Sequence, residues 1–451
     1  MKLANAVKRC FKRENSGWAT EKDIRSLLKT PENGGVVIGG YEGKPLIYGG
    51  DNHVVAVAAG GPWSRKTVGL VFPTLLNYCG SVVVHDVRGE LYKATADHRR
   101  AMGQKVIRFA PGEVDSPRFN PLDIVRFGTE HESDDVKSVA AAVCPPVSHF
   151  DKWAFSVIVA LLLHGISEQG RAFTLADAYP LSQRPGIVEE LAQSTVGDVR
   201  EFAKDLMRTS PNEVSGIMST VAHFLGVYED ALVAQATSSS NFNLDELQNG
   251  DTPVTLYLVS DDADAKRVTR VHQALLALLI KAGMSRELVL RQDSWLDDYP
   301  RPVLPYKHKL LMLLDNYDRF ERGVDGLADG IAFMAGYGIQ SYIVVQTARQ
   351  LGYHNNIVAN SHIRVFLSPA DMETAEYISK QLGDVVEDGC RKPLLTPDEI
   401  LRLPQGPMYQ LPNGAVRPIY GLACLTLRAG NTPIFGAVVP CWKMGSKQSE
   451  L

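Results

Sequence analysis

A phosphate-binding loop between a strand and a helix is indicated by residues 53–76, which read HVVAVAAGGPWSRKTVGLVFPTLL. The pattern GxxxxGK[ST] fits from Gly60, except that Arg65 stands where a glycine normally precedes the lysine. In such a loop, backbone N–H groups and the helix N-terminus bind phosphates, the lysine neutralises their charge, and the hydroxyl holds magnesium. The predicted cofactors are therefore ATP and Mg²⁺, bound by Gly60, Gly61, Ser64, Arg65, Lys66 and Thr67.

Arg65 leaves alternatives open for this loop. Glycine is favoured at that position because the backbone approaches the phosphates closely and needs angles that a side chain penalises. An ordinary strand-to-helix turn of an α/β protein fits the same residues. Arg65 can also act as an internal phosphate-binding cation, because guanidinium pairs with phosphate through two hydrogen bonds.

A second nucleotide motif is the apolar run LLMLLD, which ends in Asp315. A strand-end aspartate beside a phosphate loop reaches the magnesium shell, so Thr67 and Asp315 are the predicted metal ligands. The next residue is often a glutamate that polarises the attacking water, but here it is Asn316, whose amide cannot accept a proton. We therefore expect slow hydrolysis. The alternative is that Asp315 only caps the next turn.

Two further strand ends carry polar candidates. Gln346 ends the run IQSYIVVQ, where a RecA-like core places a residue that senses the γ-phosphate. Asp86 ends SVVVHD, and for this carboxylate a capping role is at least as well supported as a catalytic one.

Composition excludes several classes of protein. Lys plus Arg number 47 against 51 Asp plus Glu, and the net charge of -4 gives no global attraction to nucleic acid or anionic membranes. The six cysteines are scattered without CxxC spacing, which indicates neither a disulfide framework nor a zinc site and fits a reducing cytoplasm. The longest apolar run, Val157 to Leu163, is too short to span a bilayer. Residues 2–13 fit a membrane-surface helix or, alternatively, a solvated first helix.

The pattern of apolar runs predicts the fold class. Continuous Val-rich runs before residue 145 and after residue 252 indicate parallel strands covered on both faces by crossover helices. Residues 150 to about 235 have helical periodicity without strands, which indicates a helical insert. Ligands of such sheets lie beyond the carboxyl ends of the strands, so Gly60, Asp315 and Gln346 are expected to cluster there.

The chain resembles the coupling proteins of type IV secretion in conjugation systems. The resemblance rests on long blocks in the right order, among them SGWATEKDIRSLL, SVVVHDVRGELYKATADHRRAMGQKVIRF, RFNPLDIVR, LLDNYDRF, AGYGIQSYIVVQ and DMETAEYISKQLG. It implies an α/β fold: a RecA-like P-loop parallel sheet with an inserted all-helical domain. The division expected is 1–50 N-terminal basic helix and lead-in, 51–148 and 241–451 nucleotide-binding domain, and 149–240 all-helical domain.

The resemblance also implies partners and a location. Such proteins are membrane-anchored ATPases that assemble as hexamers and pass relaxase-bound single-stranded DNA or effector proteins to other secretion-system components. This sequence starts where their soluble part usually begins, so a separate membrane-anchored subunit is one expectation and loss of the anchor another. The expected location is the cytoplasmic face of the plasma membrane. Arg364 is expected either to reach a neighbour's nucleotide as an arginine finger or to be an outward-facing strand residue.

Three functions from different classes remain open on the sequence. The first is a motor that pumps DNA or effectors and tolerates Arg65 and Asn316. The second is a nucleotide-binding or empty scaffold that receives substrates without turnover. The third is a P-loop protein with an unrelated nucleotide-dependent role. The motifs Asn120–Asp123 and Asp371–Tyr377 contribute to the resemblance but carry no chemistry that can be assigned.

Overall fold

A computed structural model describes residues 17–58, 66–261, 265–285, 289–290, 302–303, 306–351, 356–387, 389–403, 409–410, 416–417 and 423–438. The predicted N-terminal helix at residues 2–13 lies outside these ranges, as do Gly60, Gly61, Ser64 and Arg65.

The strands are β1 Val36–Tyr41, β2 Lys44–Tyr48, β3 Val54–Val57, β4 Ser81–Asp86, β5 Lys105–Phe109, β6 Val254–Val259, β7 Val289–Leu290, β8 Pro302–Val303, β9 Leu310–Leu314, β10 Ile339–Val345, β11 Ile363–Leu367, β12 Asp384–Glu387, β13 Cys390–Pro393, β14 Tyr409–Gln410, β15 Val416–Arg417, β16 Ala423–Arg428 and β17 Ile434–Ala437.

The α-helices are α1 Glu21–Ile24, α2 Phe72–Asn77, α3 Glu90–Ala101, α4 Glu132–Val143, α5 His149–Gln169, α6 Leu175–Ser182, α7 Ile187–Leu191, α8 Gly197–Met207, α9 Pro211–Leu225, α10 Ala231–Ala236, α11 Glu246–Asn249, α12 Ala265–Met284, α13 Leu327–Met334, α14 Asn356–Asn360, α15 Met372–Leu382 and α16 Pro397–Leu401. A π-helical turn, Thr67–Val71, leads into α2.

Across the described ranges, nine strands form one central sheet in the order β17-β16-β11-β3-β10-β9-β4-β6-β5. From β11 to β5 all neighbours pair parallel, and β3, β4, β6, β9 and β10 are buried along their whole length. The prediction of a parallel α/β sheet is therefore confirmed. It did not include β16 and β17, which pair antiparallel at one edge.

The sheet separates two hydrophobic cores because successive strand residues point to opposite faces. On one face, which we call the phosphate-loop face, Val82 and Leu313 pack with Leu70 and Leu75 from the segment that starts at Lys66. On the other, the helical face, Val83 and Met312 belong to the core that includes α12 and the helices after β5. Each strand residue is thereby assigned to the phosphate-loop face or the helical face of the sheet.

Between β5 and β6 the chain is fully described and its regular elements are all helical, as predicted from periodicity. Periodicity predicts one helix for each of two runs, VEELAQSTVGDVREFAKDLM and VSGIMSTVAHFLGVYEDALVAQ, but the structure divides both. The first becomes α7 and α8; the second becomes α9, a 3-10 turn and α10. The side chain of Asp230 accepts from the N–H groups of Leu232 and Val233, so it starts a new helix where periodicity alone showed a continuous one. The domain boundaries at residues 50, 148 and 240 stay predictions.

Among the described residues, one helical stretch, the 24 residues His149–Ala172, is long and apolar enough to cross a membrane by length and composition. More than half of its most apolar window is buried inside the protein. The expectation that no segment reaches this length overlooked it, because isolated polar residues interrupt the apolar run.

The motifs Asn120–Asp123 and Asp371–Tyr377 both contain a helix cap. The Asn120 side chain accepts from the N–H of Leu122 at 3.0 Å at the start of a 3-10 turn. Asp371 accepts from the N–H of Thr374 at 2.7 Å at the start of α15. Side-chain oxygens satisfy the N–H groups that the first turn of a helix leaves unpaired, which gives both motifs a structural role.

Candidate nucleotide site

The candidate site lies at the carboxyl edge of the sheet, where β10 separates β3 from β9. Lys66 begins the helical segment that follows β3, Asp315 directly follows β9, and Gln346 directly follows β10. Parallel neighbours end at the same edge, so the three residues predicted from separate motifs are brought to one place.

Lys66 joins the two motifs directly. Its Nζ donates to Asn316 Oδ1 at 2.7 Å and lies 3.3 Å from Asp315 Oδ1. The side chains of Lys66 and Asp315 are only 9% and 7% exposed. A buried ammonium is stable only with partners, and here the carboxylate and amide provide them. A bound phosphate would compete for the same ammonium group.

Thr67 and Asp315 present the oxygen atoms expected of a magnesium site. Thr67 Oγ1 donates to Asp315 Oδ2 at 3.4 Å, so a hydroxyl and a carboxylate face each other beside Lys66. Mg²⁺ prefers such oxygen ligands and usually completes its shell with water and nucleotide phosphates. No group of three or more His, Cys, Asp or Glu that could hold a metal occurs among the described residues. The hydroxyl of Thr67 and the carboxylate of Asp315 fit a metal whose remaining ligands are water and nucleotide phosphates.

Asn316 occupies a backbone conformation that few side chains tolerate. Its φ of 54° and ψ of 52° place it in the left-handed region, and its N–H donates to Asp315 Oδ1 at 2.9 Å. Asparagine is enriched in this region relative to other non-glycine residues. The turn after β9 therefore gives a structural reason for asparagine where a glutamate was expected.

The backbone N–H of Gln346 and the side chain of Arg364 both make hydrogen bonds within the chain. The N–H groups of Gln346 and Thr347 donate to Gln350 Oε1 at 2.7 and 3.0 Å. Arg364, on the helical face of β11, donates to Gln381 on α15 and, at 3.1 Å, to the carbonyl of Val358. An arginine finger would have to release these two acceptors, and the roles predicted for Gln346 and Arg364 stay predictions.

Asp86 caps the helix that follows its strand. It is 3% exposed, and Oδ2 accepts from the N–H of Tyr92 at 2.8 Å, in the first turn of α3. Burial is the main reason that the pKa of this carboxyl is raised to about 6. Backbone hydrogen bonds from Tyr92 and Leu91 lower the pKa, and the negative charges of Glu90 and Asp315 raise it, but both effects are smaller than that of burial. Of the two predicted roles for Asp86, these contacts are those of a cap.

His85 was not identified from the sequence. It is fully buried on the helical face of β4, and its Nδ1 lies 2.7 Å from the backbone oxygen of Asp315. Since a carbonyl only accepts, Nδ1 carries the proton. The signal that could have found it is a histidine inside the otherwise apolar run SVVVHD, next to a strand end.

Comparison with known proteins gives related sequences. The family model described as type IV secretory system conjugative DNA transfer matches residues 12–389. The conjugal transfer protein TraG of Escherichia coli is 31% identical over 458 residues, covering 86% of this chain and 70% of that protein. Protein VirD4 of Agrobacterium fabrum is 29% identical over 365 residues, covering 76% of this chain and 51% of that protein.

Solved structures share the architecture. The plasmid coupling protein TrwB in complex with ADP and Mg²⁺ has a TM-score of 0.64 at 17% sequence identity, covering 93% of this chain and 92% of that one. Its complex with a non-hydrolysable ATP analogue has a TM-score of 0.65 at 15% identity, with the same coverage. At this identity the similarity establishes the fold.

Proposed function

Because the chain belongs to the type IV secretory system conjugative DNA transfer family, and so acts as a coupling protein in conjugation and secretion, we propose that it binds ATP with Mg²⁺ and hydrolyses it slowly. The single observation that supports the proposal best is the convergence of Lys66 and Thr67 on Asp315. A bound phosphate and its metal can contact the lysine, the hydroxyl and the carboxylate at once only if these three side chains lie together at one edge of the sheet.

Slow hydrolysis follows from Asn316. Its amide oxygen already accepts from Lys66, and an amide has no basic site that could take a proton from an attacking water. The nucleotide would then act mainly through binding, and turnover would be infrequent.

The cargo and assembly belong to the same proposal. We propose that the chain receives relaxase-bound single-stranded DNA or effector proteins, passes them to other secretion-system components at the cell envelope, and forms a homo-hexamer. The proposed place of action is the cytoplasmic face of the membrane. The family description and the relative TraG, a conjugal transfer protein, support the transfer role.

A second candidate is a scaffold that receives substrates without nucleotide. The contacts of Lys66 favour it, since Asp315 and Asn316 already provide two acceptors for the ammonium group. The two candidates differ in one measurable property, which is the affinity for ATP.

The test is calorimetric titration of the purified protein with ATP and Mg²⁺. Lys66→Ala is expected to weaken binding about 10- to 100-fold, because a charge-assisted hydrogen bond contributes about 1.5–3 kcal/mol. Lys309→Ala is the matched control: Lys309 pairs with Asp51 at the opposite, amino end of β9 and should leave ATP affinity unchanged.

Two results would contradict the proposal. Absence of ATP binding to the wild-type protein would favour the empty scaffold. Single-stranded DNA that stimulates phosphate release far above background would instead show an active motor and exclude slow hydrolysis.

A further inference from the structure

The backbone carbonyl of Asp315 accepts a hydrogen bond from a side chain, not from a neighbouring strand of the sheet. β9 ends at Leu314, which lies opposite His85 in the parallel pairing with β4. One residue later, the carbonyl of Asp315 accepts from the Nδ1–H of His85 at 2.7 Å. A side chain therefore replaces the backbone partner that a longer strand would have supplied.

His85 reaches this carbonyl from the helical face of the sheet, opposite the phosphate-loop face. Val83 belongs to the core on the helical face, so His85, two residues later on β4, shares that face. Lys66 and Thr67 contact the carboxylate of Asp315 from the phosphate-loop face. Asp315 is thus held from both faces of the sheet, by its carboxylate and by its carbonyl.

The bond orients the peptide unit that joins Asp315 to Asn316. A peptide is planar, so fixing its carbonyl also fixes the N–H of Asn316, which donates to Asp315 Oδ1 at 2.9 Å. The same unit precedes the left-handed turn at Asn316. A change in the orientation of this carbonyl would therefore move the backbone N–H of Asn316 and, through its hydrogen bond, the carboxylate of Asp315.

The ring of His85 is packed among other buried aromatic rings. Its ring centroid lies 4.4 Å from that of Phe320 and 6.1 Å from that of His272, and both histidines are fully buried. Nδ1 lies 2.7 Å from the Asp315 carbonyl, which can only accept, so the ring proton is on Nδ1 and His85 is a hydrogen-bond donor at this position.

We propose that His85 is a positioning residue for the magnesium ligand Asp315, holding the Asp315–Asn316 peptide from the helical face. The assignment rests on the proposed function, since it requires that Asp315 bind magnesium. Groups that orient metal ligands from behind typically change metal affinity about 10- to 100-fold when removed.

Three variants test this assignment. His85→Phe keeps a ring of similar size but loses the donor. His85→Asn loses the ring but retains an N–H near the position of Nδ1. His272→Phe is the matched control, because His272 is equally buried and neither of its ring nitrogens has a hydrogen-bond partner among the described residues.

The measurement is the gain in ADP affinity caused by Mg²⁺, taken as the ratio of dissociation constants in EDTA and in magnesium, with thermal unfolding recorded in parallel. His85→Phe is expected to reduce the gain about 10-fold or more. His85→Asn is expected to keep most of it, and His272→Phe all of it. If His85→Phe does not fold, His85→Asn becomes the test. Loss of the magnesium-dependent gain in ADP affinity in His85→Asn would then overturn the assignment.

The outcomes separate this assignment from the proposed function. A wild-type gain that His85→Phe retains, even with a lower unfolding temperature, would overturn the positioning role alone. An equal loss in His272→Phe would show a general effect of the buried cluster and overturn it as well. A wild-type protein without any magnesium-dependent gain would overturn the assignment and the proposed magnesium site together.

Discussion

Asn316 combines two properties that a single substitution can separate. It accepts a hydrogen bond from Lys66, and it adopts left-handed backbone angles that asparagine and aspartate tolerate better than glutamate. Its identity therefore affects both the chemistry of the site and the stability of the turn after β9.

Asn316→Glu is expected to raise ATP hydrolysis about 100-fold, because a carboxylate can act as general base. It is also expected to lower the free energy of unfolding by about 1 kcal/mol, the approximate strain of a left-handed residue with a long side chain. Phosphate release and denaturant titration measure the two effects.

Asn316→Asp is the matched control, since it adds a carboxylate and keeps tolerance of the left-handed turn. The combination of Asn316→Glu with Arg65→Gly is expected to hydrolyse faster than either single variant. If ATP affinity is measurable and none of these variants changes the rate, the roles assigned to both positions are wrong.

The raised pKa of the Asp86 carboxyl predicts that the stability of the protein depends on pH. Burial raises the pKa of its carboxyl from 3.8 to about 6 in the folded protein, so the folded state binds a proton more tightly than the unfolded state. Stability is therefore lost as the pH rises from about 4 to about 6, by about 1–3 kcal/mol. Asp86→Asn should remove this dependence.

Unfolding free energies of the wild type and Asp86→Asn at pH 4 and pH 7.5 provide the measurement. The variant should gain relative to the wild type at the higher pH only. An equal difference at both pH values would mean that Asp86 does not titrate in this range.

At the scale of elements, the helix after the phosphate loop is held at its C-terminus by one buried cation. Arg99 on α3 donates to the carbonyls of Leu75 at 3.1 Å, Gly80 at 2.8 Å and Tyr78, and to Thr255 Oγ1 at 2.9 Å. Burial lowers the pKa of Arg99 to about 10, so it remains charged at neutral pH. A cation near a helix C-terminus is favoured by the helix dipole.

Arg99→Met is expected to destabilise the protein by about 2–5 kcal/mol, because buried carbonyls lose their donor. The neighbouring Arg100→Met is the control: Arg100 is exposed, pairs with Asp97, and should change stability by no more than about 0.5 kcal/mol. Denaturant unfolding compares the two, and equal effects would refute a specific role for Arg99.

At the scale of the whole molecule, the loop after Asp315 is attached to the helical segment. Arg322 forms an ion pair with Asp151 near the start of α5, and its guanidinium lies 5.1 Å from the centre of the Phe224 ring on α9. Asp151 is almost completely buried and also forms the capping box of α5 with Ser148. These contacts therefore hold the loop against α5 and α9.

Arg322→Met is expected to cost about 1–3 kcal/mol, because it leaves a buried carboxylate without its cation. The double variant with Asp151→Asn should be less destabilised than the sum of the single variants, with a coupling of about 0.5–3 kcal/mol. A double-mutant cycle by denaturant unfolding measures this. Additive effects would show that the two side chains do not interact in solution.

Much of the fold was predictable because its signals are local. Buried strands such as Ser81–Asp86 and Leu310–Leu314 appear as continuous apolar runs, and the helical segment appears as uninterrupted helical periodicity. The division of the run after Pro211 into two helices was missed, since a cap such as Asp230 changes the chain direction without interrupting the apolar pattern. The antiparallel edge formed by β16 and β17 was missed because pairing depends on distant partners.

The sequence by itself determined which groups are available: a lysine and a hydroxyl after one strand, an aspartate and an amide after another, and no acid at position 316. Only the tertiary structure decided that Lys66 contacts Asp315 and Asn316 and that His85 supports Asp315 from behind. The physical reason is that the order of strands in the sheet determines which strand ends meet. That order depends on pairing between residues far apart in the chain, such as Tyr342 with Val54 and Leu310 with Ser81.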